Sequence, residues 1–184
     1  MMVADLPAPQ QNRVVCSITA AAEYKIPANI VLAVAEQEAG RPGLWVANRN
    51  GTYDVGSMQF NTAYLHDLKK YGITPQDVAA AGCYSFDLAA WRLRQHIVHD
   101  RGDLWTRIAN YHSHTPFYNA VYRRQIMFRA ERWANWLEKR FVTEDVTPGH
   151  QLGAKHADPG QAFLSRTETR AAASSLVLGA RNGS

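Results

Sequence analysis

The chain has 184 residues, 46% of them hydrophobic, with 20 Lys and Arg against 16 Asp and Glu and a net charge of +4. That is enough apolar material for one compact domain plus an appendage, and no stretch approaches the roughly 20 apolar residues of a membrane span. The basic residues are scattered, so the charge favours approach to a polyanion, but without a basic helix or an RNA-binding motif no nucleic-acid partner is expected.

Residues 1–13 read as an N-terminal extension. Met1 to Asn12 lacks a basic region followed by an apolar core, so no signal peptide is read in this chain. From Val14 the apolar spacing is helical almost throughout. It predicts helices over Val14 to Tyr24 and Pro27 to Ala39, the second ended by Gly40 and Pro42. Trp45 to Gly56 is polar and turn-rich, and its Asn50-Gly51 pair predicts a small hairpin. Helical spacing resumes from Phe60 to Tyr71, with a short helix after Pro75. Ser85 reads as the cap of a helix bearing Phe86, Ala90, Leu93 and Ile97 on one face, and Asp103 as the cap of one bearing Leu104, Ile108 and Tyr111. Pro116 interrupts, and a last helix from about Tyr118 to Phe141 places Tyr122, Ile126, Trp133 and Leu137 on one side. The prediction is an all-α domain over residues 14–141 with one minor β-hairpin. After Val142 the composition turns to Gly, Ala, Ser and Thr, which predicts a disordered tail over residues 142–184.

The second helix holds two carboxylates, and the helical period separates them. At about 100° per residue Glu38 lies roughly 40° from Val34, on the apolar stripe, and Glu36 roughly 200° from it, facing water. A carboxyl on an apolar stripe at a helix end loses hydration, which raises its pKa and keeps it protonated near neutral pH as a general acid; a partly buried Glu paired with an Arg has the same pattern. Cys16 and Cys83 stand at the start of two predicted helices, with no zinc-type spacing. One long-range disulfide is the economical reading, and two buried thiols of a cytosolic protein give the same sequence. Of the five Trp residues only Trp45, beside the hairpin, reads as a groove residue. His96 and His99 are three apart without a third partner, so neither a metal nor a cofactor is predicted.

Further along come Gly56-Ser57-Met58-Gln59, just after the hairpin, and Tyr111-His112-Ser113 at the end of a later helix. An inward Glu closing a helix, a short β excursion, a Gly-x-Met-Gln turn and a Tyr-centred motif, in this order, resemble the lytic transglycosylases of the goose-lysozyme-like (SLT) family. The likeness covers residues 14–140 and is greatest to the small members that accompany type IV secretion and conjugation systems, which Asn48 to Asp54 and Cys83 also resemble. The resemblance implies a lysozyme-like fold and cleavage of the β-1,4 bond between N-acetylmuramic acid and N-acetylglucosamine with formation of a 1,6-anhydro end. It makes Glu38 the catalytic acid and base, and Ser57, Met58, Gln59, Tyr111 and His112 substrate-binding, with Tyr111 on Glu38 or on the sugar. The implied partners are peptidoglycan glycan strands and secretion-system components, and the expected location that goes with the resemblance is periplasmic or secreted. Two positions depart from the pattern: Ala39 stands where a Ser is usual, and His112 where an Asn is usual. One alternative keeps the fold as a hydrolytic muramidase that uses Asp54 or a water on Gln59; the other, which Ala39 and His112 support, is a weakly active wall-binding assembly protein. Asp54 on its own reads as the brace of a turn.

Overall fold

Six consecutive residues of the second helix, Ile30 to Ala35, are buried. A helix that is apolar on every side belongs inside a bundle. In the computed structural model, which describes residues 6–141, that helix is α2 (Ala28–Glu38), packed against α1 (Ala8–Tyr24), α5 (Tyr84–His99) and α7 (Pro116–Glu138). Val31, Leu32 and Val34 of α2, Leu88 and Leu93 of α5 and Ile126 of α7 are all fully shielded from water. Each such side chain contributes roughly 1.5–3 kcal/mol of burial. The remaining helices are α3 (Thr62–Leu68), followed by a 3-10 turn (Lys69–Tyr71), α4 (Pro75–Ala79) and α6 (Leu104–Ala109).

The chain is mostly helical, as expected, and several boundaries differ for local reasons. Helix α1 begins at Ala8, so part of the expected extension is helical, and Cys16 lies mid-helix rather than at a start. The β segment has three antiparallel strands instead of two, in the order β1 (Trp45–Ala47), β2 (Tyr53–Val55) and β3 (Phe60–Asn61). Trp45 pairs with Val55, and Val55 in turn with Phe60. Phe60 therefore belongs to the sheet, and Asn61 caps α3 by accepting from the Ala63 amide at 2.9 Å. Cys83, not Ser85, precedes α5, and Ser85 is buried within it. Pro116 opens α7, its missing N–H falling where the helix has no acceptor for it. Asp103 caps α6 as expected, accepting from the Thr106 amide at 3.0 Å. Cys16 and Cys83 form a disulfide that ties α1 to the start of α5 across 67 residues of sequence. The expected tail, residues 142–184, lies outside the described residues.

Candidate active site

Backbone contacts beyond its last residue fix the end of α2. Ala39 closes the helix in the left-handed region (φ 50°), its amide donating to the Ala35 carbonyl at 3.2 Å. Such a conformation costs a non-glycine residue about 1–2 kcal/mol. Gly40 then runs against the Gly56-Ser57 turn so closely that a Cβ there would lie 2.2 Å from the Gly56 carbonyl oxygen. Gly56 itself has φ +73° and no room for a side chain against the Val78 carbonyl. Gln59 is left-handed too (φ 48°), and its side-chain amide turns back to donate to the Gly56 oxygen at 2.9 Å. The Glu-bearing helix end and the turn are thus locked together by backbone contact, with a strained non-glycine residue on each side of the joint.

Glu38 faces inward. It is half-buried, and Tyr122 of α7 donates its hydroxyl to Glu38 Oε1 at 2.5 Å. Burial pushes the Glu38 carboxyl up to about 7, against the Tyr122 hydrogen bond and the positive charge of Arg92, which lower it, and with Asp54, which raises it further. A carboxyl with this value is present in both protonation states near neutral pH, the requirement for a group that first gives and then takes a proton. Arg92 of α5 stacks its guanidinium on the rings of Tyr64 and Tyr111, with centroids 4.1 and 4.6 Å away.

The other expected site residues fall into distinct places. Tyr111 is buried and donates to the Met58 carbonyl at 3.0 Å, so it does not hold Glu38; Tyr122 does. Met58 has no exposed surface and Ser57 very little. The Met58 and Tyr111 side chains therefore support the turn from behind and do not line an open groove, a correction that follows from the packing of Tyr111 on Phe60. His112 is exposed and lies flat on Tyr122, with ring centroids 4.8 Å apart and planes within 4°. The ring face against Tyr122 is screened from water, and this partial desolvation, helped by the charge of Arg92, lowers the His112 pKa against the pull of Asp54. Asp54 lies within β2, not in a turn, and accepts from Asn61 Nδ2 at 2.9 Å. Trp45 is exposed on β1 and packs edge-on against Tyr53.

Glu36 is partly covered rather than free in water. It accepts from Trp133 Nε1 at 2.7 Å and from Arg132 at 3.3 Å, because α7 covers the side of α2 that a surface helix would leave open. Tyr122 and Arg92 are the two site residues that sequence reasoning missed. The one signal for Tyr122 was a hydroxyl on the apolar stripe of the last helix, which a buried position obliges to find a partner.

The chain is similar to one family model and to known proteins. The model of the transglycosylase SLT domain matches residues 15–124. Protein IpgF of Shigella sonnei is 28% identical over 138 residues, covering 69% of this chain and 90% of the relative. Invasion protein IagB of Salmonella typhimurium is 27% identical over 122 residues, covering 66% of this chain and 74% of the relative. The segment matched by the domain model runs from α1 into α7 and holds Glu38, the Gly56–Gln59 turn, Tyr111 and Tyr122 together. The chain belongs to the transglycosylase SLT domain family, with the lysozyme-like fold and the cell-wall substrate class of that family.

Proposed function

We propose that the protein is a peptidoglycan lytic transglycosylase in which Glu38 is the single acid and base. The observation that carries this reading is one half-buried carboxyl, raised to about 7 and hydrogen-bonded by Tyr122, at the joint between α2 and the Gly56–Gln59 turn. Protonated Glu38 gives its proton to the glycosidic oxygen as the bond to the muramic anomeric carbon breaks. The resulting carboxylate takes the proton of the muramic 6-hydroxyl as that oxygen closes on the anomeric carbon. No water enters, and Glu38 ends as it began. Water-using glycosidases generally need a second carboxyl about 5–9 Å from the first. Asp54 is the acidic group that shares the field of Glu38, and its hydrogen bond from Asn61 occupies it as a strut of the sheet.

Gln59 and His112, which retain exposed surface, are assigned to the sugar, with Ser57 and the Met58 backbone behind them and Trp45 as a stacking surface further out. The Cys16–Cys83 disulfide supports a periplasmic or secreted location. The likeness to an invasion protein supports local opening of the wall for a secretion or conjugation apparatus. Mass spectrometry of muropeptides released from purified peptidoglycan by the parent and by Glu38→Gln tests the reaction. Anhydro-muropeptides from the parent alone are expected. Reducing-end products would make it a muramidase using Asp54, and no product from either protein would leave a wall-binding assembly role.

A further inference from the structure

The C-terminus of α5 and the loop between α6 and α7 bring together three groups that the proposed reaction does not use. His96 on α5, Asp100 directly after it and His114 in the loop each offer one ligand atom, all within 4.8 Å of one another. His96 Nδ1 lies 2.7 Å from Asp100 Oδ2, and the rings of His96 and His114 are 5.5 Å apart between centroids. His96 Nε2 is shielded and accepts no hydrogen bond from another protein group among the described residues, which leaves its lone pair available.

The surroundings hold these groups in place. Asn110 donates to Asp100 Oδ2 at 2.7 Å, and Asn119 donates to Asn110 Oδ1 at 2.8 Å and to the Ser113 carbonyl at 3.2 Å. Both amides are buried. The same chain of amides thus orients the carboxylate and fixes the residue next to His114, the kind of outer support that metal ligands need. All three groups border a cavity of about 440 Å³, which gives an ion a way in and room for water.

We propose that His96, Asp100 and His114 bind one divalent transition-metal ion of the zinc class, with water from the cavity completing the coordination. Two imidazoles and a carboxylate suit that class rather than calcium or magnesium, which take mainly oxygen. Bonds of about 2.0–2.1 Å set ligands roughly 3.3 Å apart in a tetrahedron, so binding requires the 2.7 Å contact between His96 Nδ1 and Asp100 Oδ2 to open slightly and His114, the exposed member, to turn inward. Arg92 and Lys70 line the same cavity and oppose a cation, while Asp67 and Asp100 favour one, so the affinity belongs to a moderate, exchangeable site. A bound ion pins the segment that carries His112, the ring stacked on Tyr122.

The test is calorimetric titration of zinc chloride into the untagged, chelator-stripped full chain, with the visible spectrum of the cobalt-loaded protein as a second readout. One ion per chain is expected for the parent and for His99→Ala. His114→Ala, a change at an exposed position, is expected to weaken binding roughly tenfold or more. Asp100→Asn gives a second variant, and circular dichroism verifies that each protein is folded. A parent that takes up no zinc at 100 times the protein concentration, or a His114→Ala protein that binds with unchanged affinity and stoichiometry, overturns the proposal.

Discussion

Replacing Glu38 by Gln probes the central carboxyl without any substrate. In the unfolded chain this group ionises near its ordinary 4.5, and in the folded protein at about 7, chiefly because it is buried. Its folded pKa is raised, so between these values the folded state holds more protons than the unfolded state. Stability from this group is therefore fully present below pH 4.5, falls as pH rises, and is lost above pH 7. A gap of about 2.5 pH units at 1.36 kcal/mol per unit sets the size of the effect, up to about 3 kcal/mol. Gln has the same shape, stays neutral, and still offers an oxygen to Tyr122. The variant is thus expected to match the parent at pH 4.5 and to exceed it by up to about 3 kcal/mol at pH 8. Urea denaturation of both proteins at half-unit steps from pH 4.5 to 8 measures this difference directly. A difference that stays flat across that range would mean that the carboxyl titrates as if in water and would refute the reasoning. One that grows toward acid would reverse its sign.

Tyr122→Phe removes the hydrogen bond that lowers the Glu38 pKa, so the pH profile of muropeptide release is expected to move upward by about one unit, as loss of roughly 1.5 kcal/mol from the carboxylate predicts; equal loss of rate at every pH would reduce Tyr122 to a packing role. Gly40→Ala places a methyl 2.2 Å from the Gly56 oxygen, so the helix end must part from the turn, and a loss of about 1–3 kcal/mol in denaturation together with a fall in rate of at least tenfold is expected. Wild-type stability in Gly40→Ala would show that the joint is looser than its contacts indicate. Replacing Cys16 and Cys83 together by Ser opens a 67-residue span and is expected to cost about 2–4 kcal/mol, seen as a lower denaturation midpoint and as no further loss when a reductant is added.

The helices were legible where apolar spacing and a local stop signal agreed. Asp103 announces α6, and Gly40 with Pro42 ends α2 within a residue or so of the observed boundary. Errors arose where a partner distant in sequence decided the outcome. Phe60 continues an apolar pattern that fits a helix, and only its pairing with Val55 makes it a strand. Glu36 reads as solvated because a single helix cannot show that α7 will lie over it with Trp133 and two arginines. Ser85 has the residue type of a cap, but the segment before it is set by the disulfide at Cys83, and the hydroxyl goes into the core instead.

For the site, the same distinction separates the residue that reacts from the residues that tune it. Glu38 could be picked out because its inward direction follows from α2 alone and desolvation follows from direction. Its tuning could not, because Tyr122 reaches it from α7 and Arg92 acts from α5, each at a helix position where the sequence motif is silent. Tyr111 illustrates the converse. It lies in a recognisable motif, yet its hydroxyl is spent on the Met58 carbonyl, so the motif fixes the turn and not the acid. A change at Tyr111 should therefore act on Glu38 only through the placement of Met58 and Gln59, whereas a change at Tyr122 acts on the proton itself. The pH profile, more than the size of the rate loss, is what distinguishes these two tyrosines.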